Sequence, residues 1–320
     1  MKRNLIKYLD DGSFLLNKHQ SFWFDKTVAR KLLENIQFPI IVLDTEFFNH
    51  SHDNGEISEK LYNENDKDLV YVIQYSFAKS LKEISHRDNK KAIKSITIKR
   101  AHNDADYDFH KQYKKMITSF LNMCRNKEIR TIVCAGATND IKIINKWIND
   151  NKHFFTRRTL NLAFYNKEKS ELNANYFDIY DILENSMSFT NTNKDGESFW
   201  NANYLPIGKQ GHDSIALTSS KKFFDWFALI SENTLKQENE DIYSMCCSAY
   251  NFYSYPVSKK MSFAQYQELN KIIKKVIDHC YNDVLKVLLF LAFVYEFTYL
   301  PLSKNSYIKK SDILSNTNKK

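Results

Sequence analysis

The run Ile40-Ile41-Val42-Leu43, entered through Pro39 and left through Asp44 and Glu46, constrains this chain more than any other stretch. It is short, wholly apolar and β-branched, so it reads as a strand buried on both faces within a parallel or mixed sheet. Strand side chains alternate between faces. Asp44 and Glu46 therefore converge while Thr45 points back toward the core. Two like charges held that close are costly unless a cation sits between them, and oxygen donors at a strand end suit hard divalent ions such as Mg²⁺ or Mn²⁺. Taken alone, the pair is equally readable as a polar strand end running into solvent.

The rest of the chain supplies partners for this strand. A helix is expected over residues 26–35, inside an N-terminal extension spanning 1–37. After Phe48, the Asn-, Asp-, Gly- and Ser-rich text up to Asp68 lacks periodicity and reads as a long exposed loop. His50 and His52 within it have no matching ligand spacing and read as solvated side chains. LVYVIQYSFA (69–78) is a second strand and the alternating KAIKSITIKRA (91–101) a third, with a helix-free antiparallel meander expected between them. A helix follows over 107–125, then a fourth buried strand in EIRTIVCAG (128–136). ATNDIKIINKWIND carries Ile141, Ile144 and Ile148 on one helical face. Asp140 enters that helix, either as a first-turn carboxylate favoured by the helix dipole or as a third acid of a site. NYFDIYDILEN (175–185) reads as a fifth strand running into a helix. Residues 186–261 are irregular and read as an insertion in which His212 and Asp213 have no supporting context. One or two long helices close the chain before a lysine-rich tail, 301–320, expected to be flexible.

Composition matters at three points. Lys plus Arg (46) exceeds Asp plus Glu (38), giving +8, and the chain carries 19 Tyr and 23 Phe. A basic, aromatic-rich protein is compatible with a polyanionic, stackable partner such as nucleic acid. The five cysteines include no CxxC pair, which argues for reduced thiols in a cytoplasmic protein and against a disulfide framework or structural zinc. The opening MKRNLIKYLDDGSF has no apolar signal core. Residues 284–300 are apolar but interrupted by Lys286 and Glu296, so they read as a buried helix of a soluble protein, not a membrane span.

In the final helix, His279 and Asp283 stand four apart and share a face. An Asp-x-Glu ending strand one, an aspartate entering the helix after strand four and a His-x-x-x-Asp on the last helix together resemble the DEDD superfamily of 3′-to-5′ exonucleases. DTEFF is similar to its first motif, CAGATNDIKII to the second motif of the branch related to the histone-mRNA 3′ exonucleases, and HCYNDVLKVLLFL to the third. The resemblance covers roughly residues 40–297. It implies an α/β, ribonuclease-H-like fold: a mixed five-stranded sheet flanked by helices over residues 38–300, with the 186–261 insertion before the last helix.

The activity implied is 3′-to-5′ hydrolysis of phosphodiester bonds at single-stranded nucleic acid ends, RNA slightly preferred over DNA. Asp44, Glu46, Asp140 and Asp283 would bind two Mg²⁺ or Mn²⁺ ions about 4 Å apart, and His279 would be the general base. Phe47 would stack on the terminal base, and Lys142, with Lys146, would contact phosphate. The sequence departs from the family in one respect. The histidine class places its histidine five residues before the last aspartate and the tyrosine class its tyrosine four before. Here the residue four before is His279 and the residue five before is Asp278. A protein that keeps the fold and binds nucleic acid with little or no hydrolysis is the alternative reading.

Overall fold

The computed structural model describes residues 5–8, 13–15, 20–48, 66, 68–136, 138–152, 174–191, 242–299 and 307–309. The chain opens with three short strands, β1 (Leu5–Tyr8), β2 (Ser13–Leu15) and β3 (Gln20–Phe24). Asp25 then caps α1 (Lys26–Glu34), its carboxylate accepting from the backbone N–H of Thr27 and Val28. That bonding satisfies two of the donors a helix start leaves open. The Asp44/Glu46 strand is β4 (Ile40–Phe47), followed by β5 (Val70–Ala78).

Two short helices, α2 (Leu81–His86) and α3 (Asn89–Ala92), separate β5 from β6 (Lys94–Thr97). The connection expected to be helix-free therefore contains helix, and the third strand begins three residues later than expected. The cause is local. Ser80 Oγ accepts from Glu83 N, Glu83 Oε2 accepts from Lys79 N, and Asp88 caps α3 through Lys90 N. The Ser-x-x-Glu spacing of a capping box was present in SLKE, and its reciprocal bonds nucleate the turn.

Next come α4 (Phe109–Asn126), β7 (Thr131–Cys134), α5 (Thr138–Asp150), β8 (Tyr176–Asp178) and α6 (Tyr180–Ser186). Within the segment read as an insertion lie β9 (Met187–Asn191) and α7 (Ile242–Ser254). A single 37-residue helix, α8 (Phe263–Tyr299), follows, and β10 (Tyr307–Lys309) falls within the segment read as a tail.

Strands β6-β5-β4-β7-β8 form the central sheet. β4 pairs antiparallel with β5 and parallel with β7, β5 pairs antiparallel with β6, and β7 parallel with β8. Renumbered within this sheet, the order is 3-2-1-4-5, the topology of a ribonuclease-H-like fold. A second sheet, β10-β1-β2-β3-β9, is antiparallel throughout and brings both ends of the chain together.

Alternation along β4 divides the core. Ile40 and Val42 pack with α1, α6 and the C-terminal half of α8, while Ile41 and Leu43 pack with α4, α5 and α7. Residues 284–294 of α8 are buried without exception, so the apolar stretch is core. Among the described residues no helix is long and apolar enough to cross a membrane. None of the five cysteines is in a disulfide.

Candidate metal centre

β4 delivers Asp44 and Glu46 to the point where α8 crosses the sheet. α8 is held there by specific bonds: Gln74, which lies opposite Asp44 on β5, donates through Nε2 to Ile277 O at 3.4 Å, and Cys280 Sγ lies 3.3 Å from Asp44 O. Oxygens of Asp44 and Glu46 and the Cys280 sulfur all lie within 4.8 Å of one another. Glu46 is only 8% exposed. Cys246 of α7 lies 3.9 Å from Glu46 Oε2, and Tyr71 Oη donates to the Cys246 sulfur at 3.1 Å.

Asp140 arrives from the other side of the sheet. At the end of β7 the backbone turns at Gly136, whose φ of 71° lies in the left-handed region that costs glycine little. A Cβ there would meet the Tyr180 ring at 3.3 Å. Asp178 Oδ1 accepts from both Gly136 N and Tyr180 N, tying this turn to the end of β8. In the first turn of α5, Asp140 accepts a short hydrogen bond from the Thr45 hydroxyl. Thr45, the residue between the two acids, thus points into the core as its strand position requires and anchors the third one.

The carboxylates act on one another. Burial, then repulsion from Asp283 and Asp140, holds the Asp44 carboxyl well above its usual range. Burial, then repulsion from Asp44, Asp283 and Asp140, does the same to Glu46. Burial lifts Asp140 from 3.8 to about 6, against the opposing pull of its Thr45 bonds. Segments some 240 residues apart in sequence therefore meet electrostatically.

The donor set fits a hard divalent cation: clustered oxygen ligands, desolvated and mutually repelling, are what such an ion would relieve. Cys280 is a poorer ligand for such an ion, because its soft sulfur suits zinc or copper better than Mg²⁺ or Mn²⁺. No family model matches the chain. No curated protein matches it either.

His279 and Asp283 occupy one face of α8 as their spacing predicts, with Nε2 3.3 Å from Oδ2. The other oxygen of Asp283, Oδ1, receives the Lys286 ammonium at 2.6 Å. In the sequence, Lys286 figures only as a break in an apolar run. In the fold it is a cation at the acidic site and only 4% exposed. A charge inside such a run was the available signal, since lysine is almost never fully buried unless paired. Cys246 carried no signal, because α7 reaches Glu46 only through tertiary packing.

Phe47 is half-buried against the core cluster on the α4, α5 and α7 side. Lys142 is exposed and directed to Asp68 Oδ2 at 3.6 Å, and Lys146 is exposed. His50, His52, His212 and Asp213 lie outside the described residues. Beyond Phe48, a cleft of about 340 Å³ is lined by rings that include Tyr107, Phe109, Tyr253 and Tyr255.

Proposed function

We propose that this protein is a metal-dependent 3′-to-5′ exonuclease that hydrolyses phosphodiester bonds at single-stranded nucleic acid ends. The observation that carries the reading is the gathering of Asp44 and Glu46 oxygens within 4.8 Å of each other at the end of the first strand of a 3-2-1-4-5 sheet, with Asp140 hydrogen-bonded to the Thr45 between them. Clustered, desolvated carboxylates are unfavourable in a protein with no cation to bind, and favourable in one that binds a dication and a phosphate together.

Asp44 and Glu46 would hold Mg²⁺ or Mn²⁺, with Asp140 completing the oxygen set. Bound metal supplies Lewis acidity toward a phosphoryl oxygen and lowers the pKa of a coordinated water. His279, on the adjacent turn of α8, is the chain's own proton acceptor in this reading, and its contact with Asp283 orients the ring. Phe47 and Lys142 would meet the terminal base and a phosphate. The +8 net charge favours a polyanionic substrate. RNA would be slightly preferred over DNA, because CAGATNDIKII resembles the second motif of the histone-mRNA branch.

The test is stepwise shortening of a 5′-labelled single-stranded oligonucleotide by the purified chain with Mg²⁺ or Mn²⁺. Asp44→Asn should abolish it while the far-UV circular dichroism is unchanged. Binding without degradation under every metal condition would replace the exonuclease reading with that of a nucleic-acid-binding protein on the same fold. The Lys286–Asp283 pair is the observation that favours this second reading, because it occupies an acid that the exonuclease family assigns to metal.

A further inference from the structure

Asp283 already has a cation. Lys286 Nζ lies 2.6 Å from its Oδ1, and His279 Nε2 lies 3.3 Å from its Oδ2, so both oxygens face protein donors. The lysine contact is not a loose surface pairing. Lys286 is 4% exposed, and its neighbours Val284, Leu285, Val287, Leu288 and Phe290 are buried. Its contact with Asp283 is the kind of pairing that a buried lysine requires. The Lys286 charge also acts beyond its partner, since it opposes the upward push on the Asp44 carboxyl.

At the other end of the cluster the situation is reversed. Asp44 and Glu46 present oxygens within 4.8 Å of each other and of the Cys280 sulfur. One half of the acidic site therefore calls for a cation and the other half contains one.

We propose that the Lys286 ammonium stands in for one of two metal ions, so that this site binds a single divalent ion, on Asp44 and Glu46. The inference rests on the metal-dependent reading above. It deepens that reading by assigning Asp283 to a protein cation instead of a metal. The fixed ammonium would supply the positive charge near a leaving oxygen that a second ion supplies elsewhere. It would do so without the geometric demands of a coordination shell.

The experiment counts ions. Mn²⁺ is titrated into the purified full chain, and free Mn²⁺ is followed by its electron paramagnetic resonance signal, with calorimetry as an independent count. The wild type is expected to take up one Mn²⁺ per chain. Lys286→Met, which keeps the stem and removes the charge, is expected to take up two and to show the broadened signal of a coupled pair. If Lys286→Met fails to fold, Asp283→Asn serves instead, and it should still bind one ion, because Asp283 is not a ligand. Two ions on the wild type, one ion on both wild type and Lys286→Met, or loss of the ion in Asp283→Asn would each overturn the inference. No Mn²⁺ on the wild type would overturn the metal-dependent reading as well, so the two failures are distinguishable.

Discussion

Replacing Asp140 with asparagine should make the metal-free protein more stable. Asp140 is 8% exposed, and burial raises its carboxyl from 3.8 to about 6. Between those two values the native state holds a proton that the unfolded chain has released, so stability falls as pH rises through the window and the loss is complete above it. At about pH 7.5 the ionised carboxylate then costs at most about 3 kcal/mol relative to a neutral group in the same place, and at about pH 5 roughly half that.

Asparagine retains a side-chain oxygen to accept from the Thr45 hydroxyl. If the neutral amide weakens that bond, the loss is about 1 kcal/mol, which still leaves a net gain. Denaturant unfolding with a chelator present, at both pH values, reads the difference. The expected result is a higher midpoint for Asp140→Asn at about pH 7.5, shrinking on acidification, together with a weaker stabilising effect of added Mg²⁺. A variant that is less stable at neutral pH, or whose gain does not change with pH, would refute the claim that desolvation of this acid is stored in the apo fold.

Two further outcomes follow from the geometry. His279→Ala should reduce turnover by about a hundredfold or more while leaving oligonucleotide affinity nearly unchanged, and wild-type turnover in this variant would remove His279 from the chemistry. Trp147 is buried and donates through Nε1 to Tyr113 Oη at 2.9 Å, so Trp147→Phe should cost about 1–2 kcal/mol in urea unfolding, and no change in midpoint would show that this bond contributes nothing.

What could be read without coordinates was whatever depends on neighbours in sequence. The β-branched run of β4, its two-residue alternation and the Ile141/Ile144/Ile148 face of α5 are local patterns with one favourable outcome each, and all three took it. The capped helices between β5 and β6 were equally local. Their signal, the Ser-x-x-Glu of SLKE, is only four residues long and lies between two stronger strand patterns.

The N-terminal strands were harder, because short aromatic segments such as QSFWF become strands only when a partner pairs with them. The partners of β3 are β2 and β9, the latter more than 160 residues further along the chain. Nothing near Tyr307–Lys309 signals that it will pair with Leu5–Tyr8.

The sequence by itself determined that Asp44 and Glu46 share a face at the end of a buried strand, and that His279 and Asp283 fall on one side of a helix, because backbone periodicity alone dictates both. Only the tertiary structure decided that α8 lies against the end of β4 through Cys280, that Thr45 on the opposite face bonds Asp140, and that Lys286 sits against Asp283 and not in water. Those outcomes depend on where α8 crosses β4 and β5. That crossing is set by the summed burial of side chains from distant segments, which no single stretch encodes.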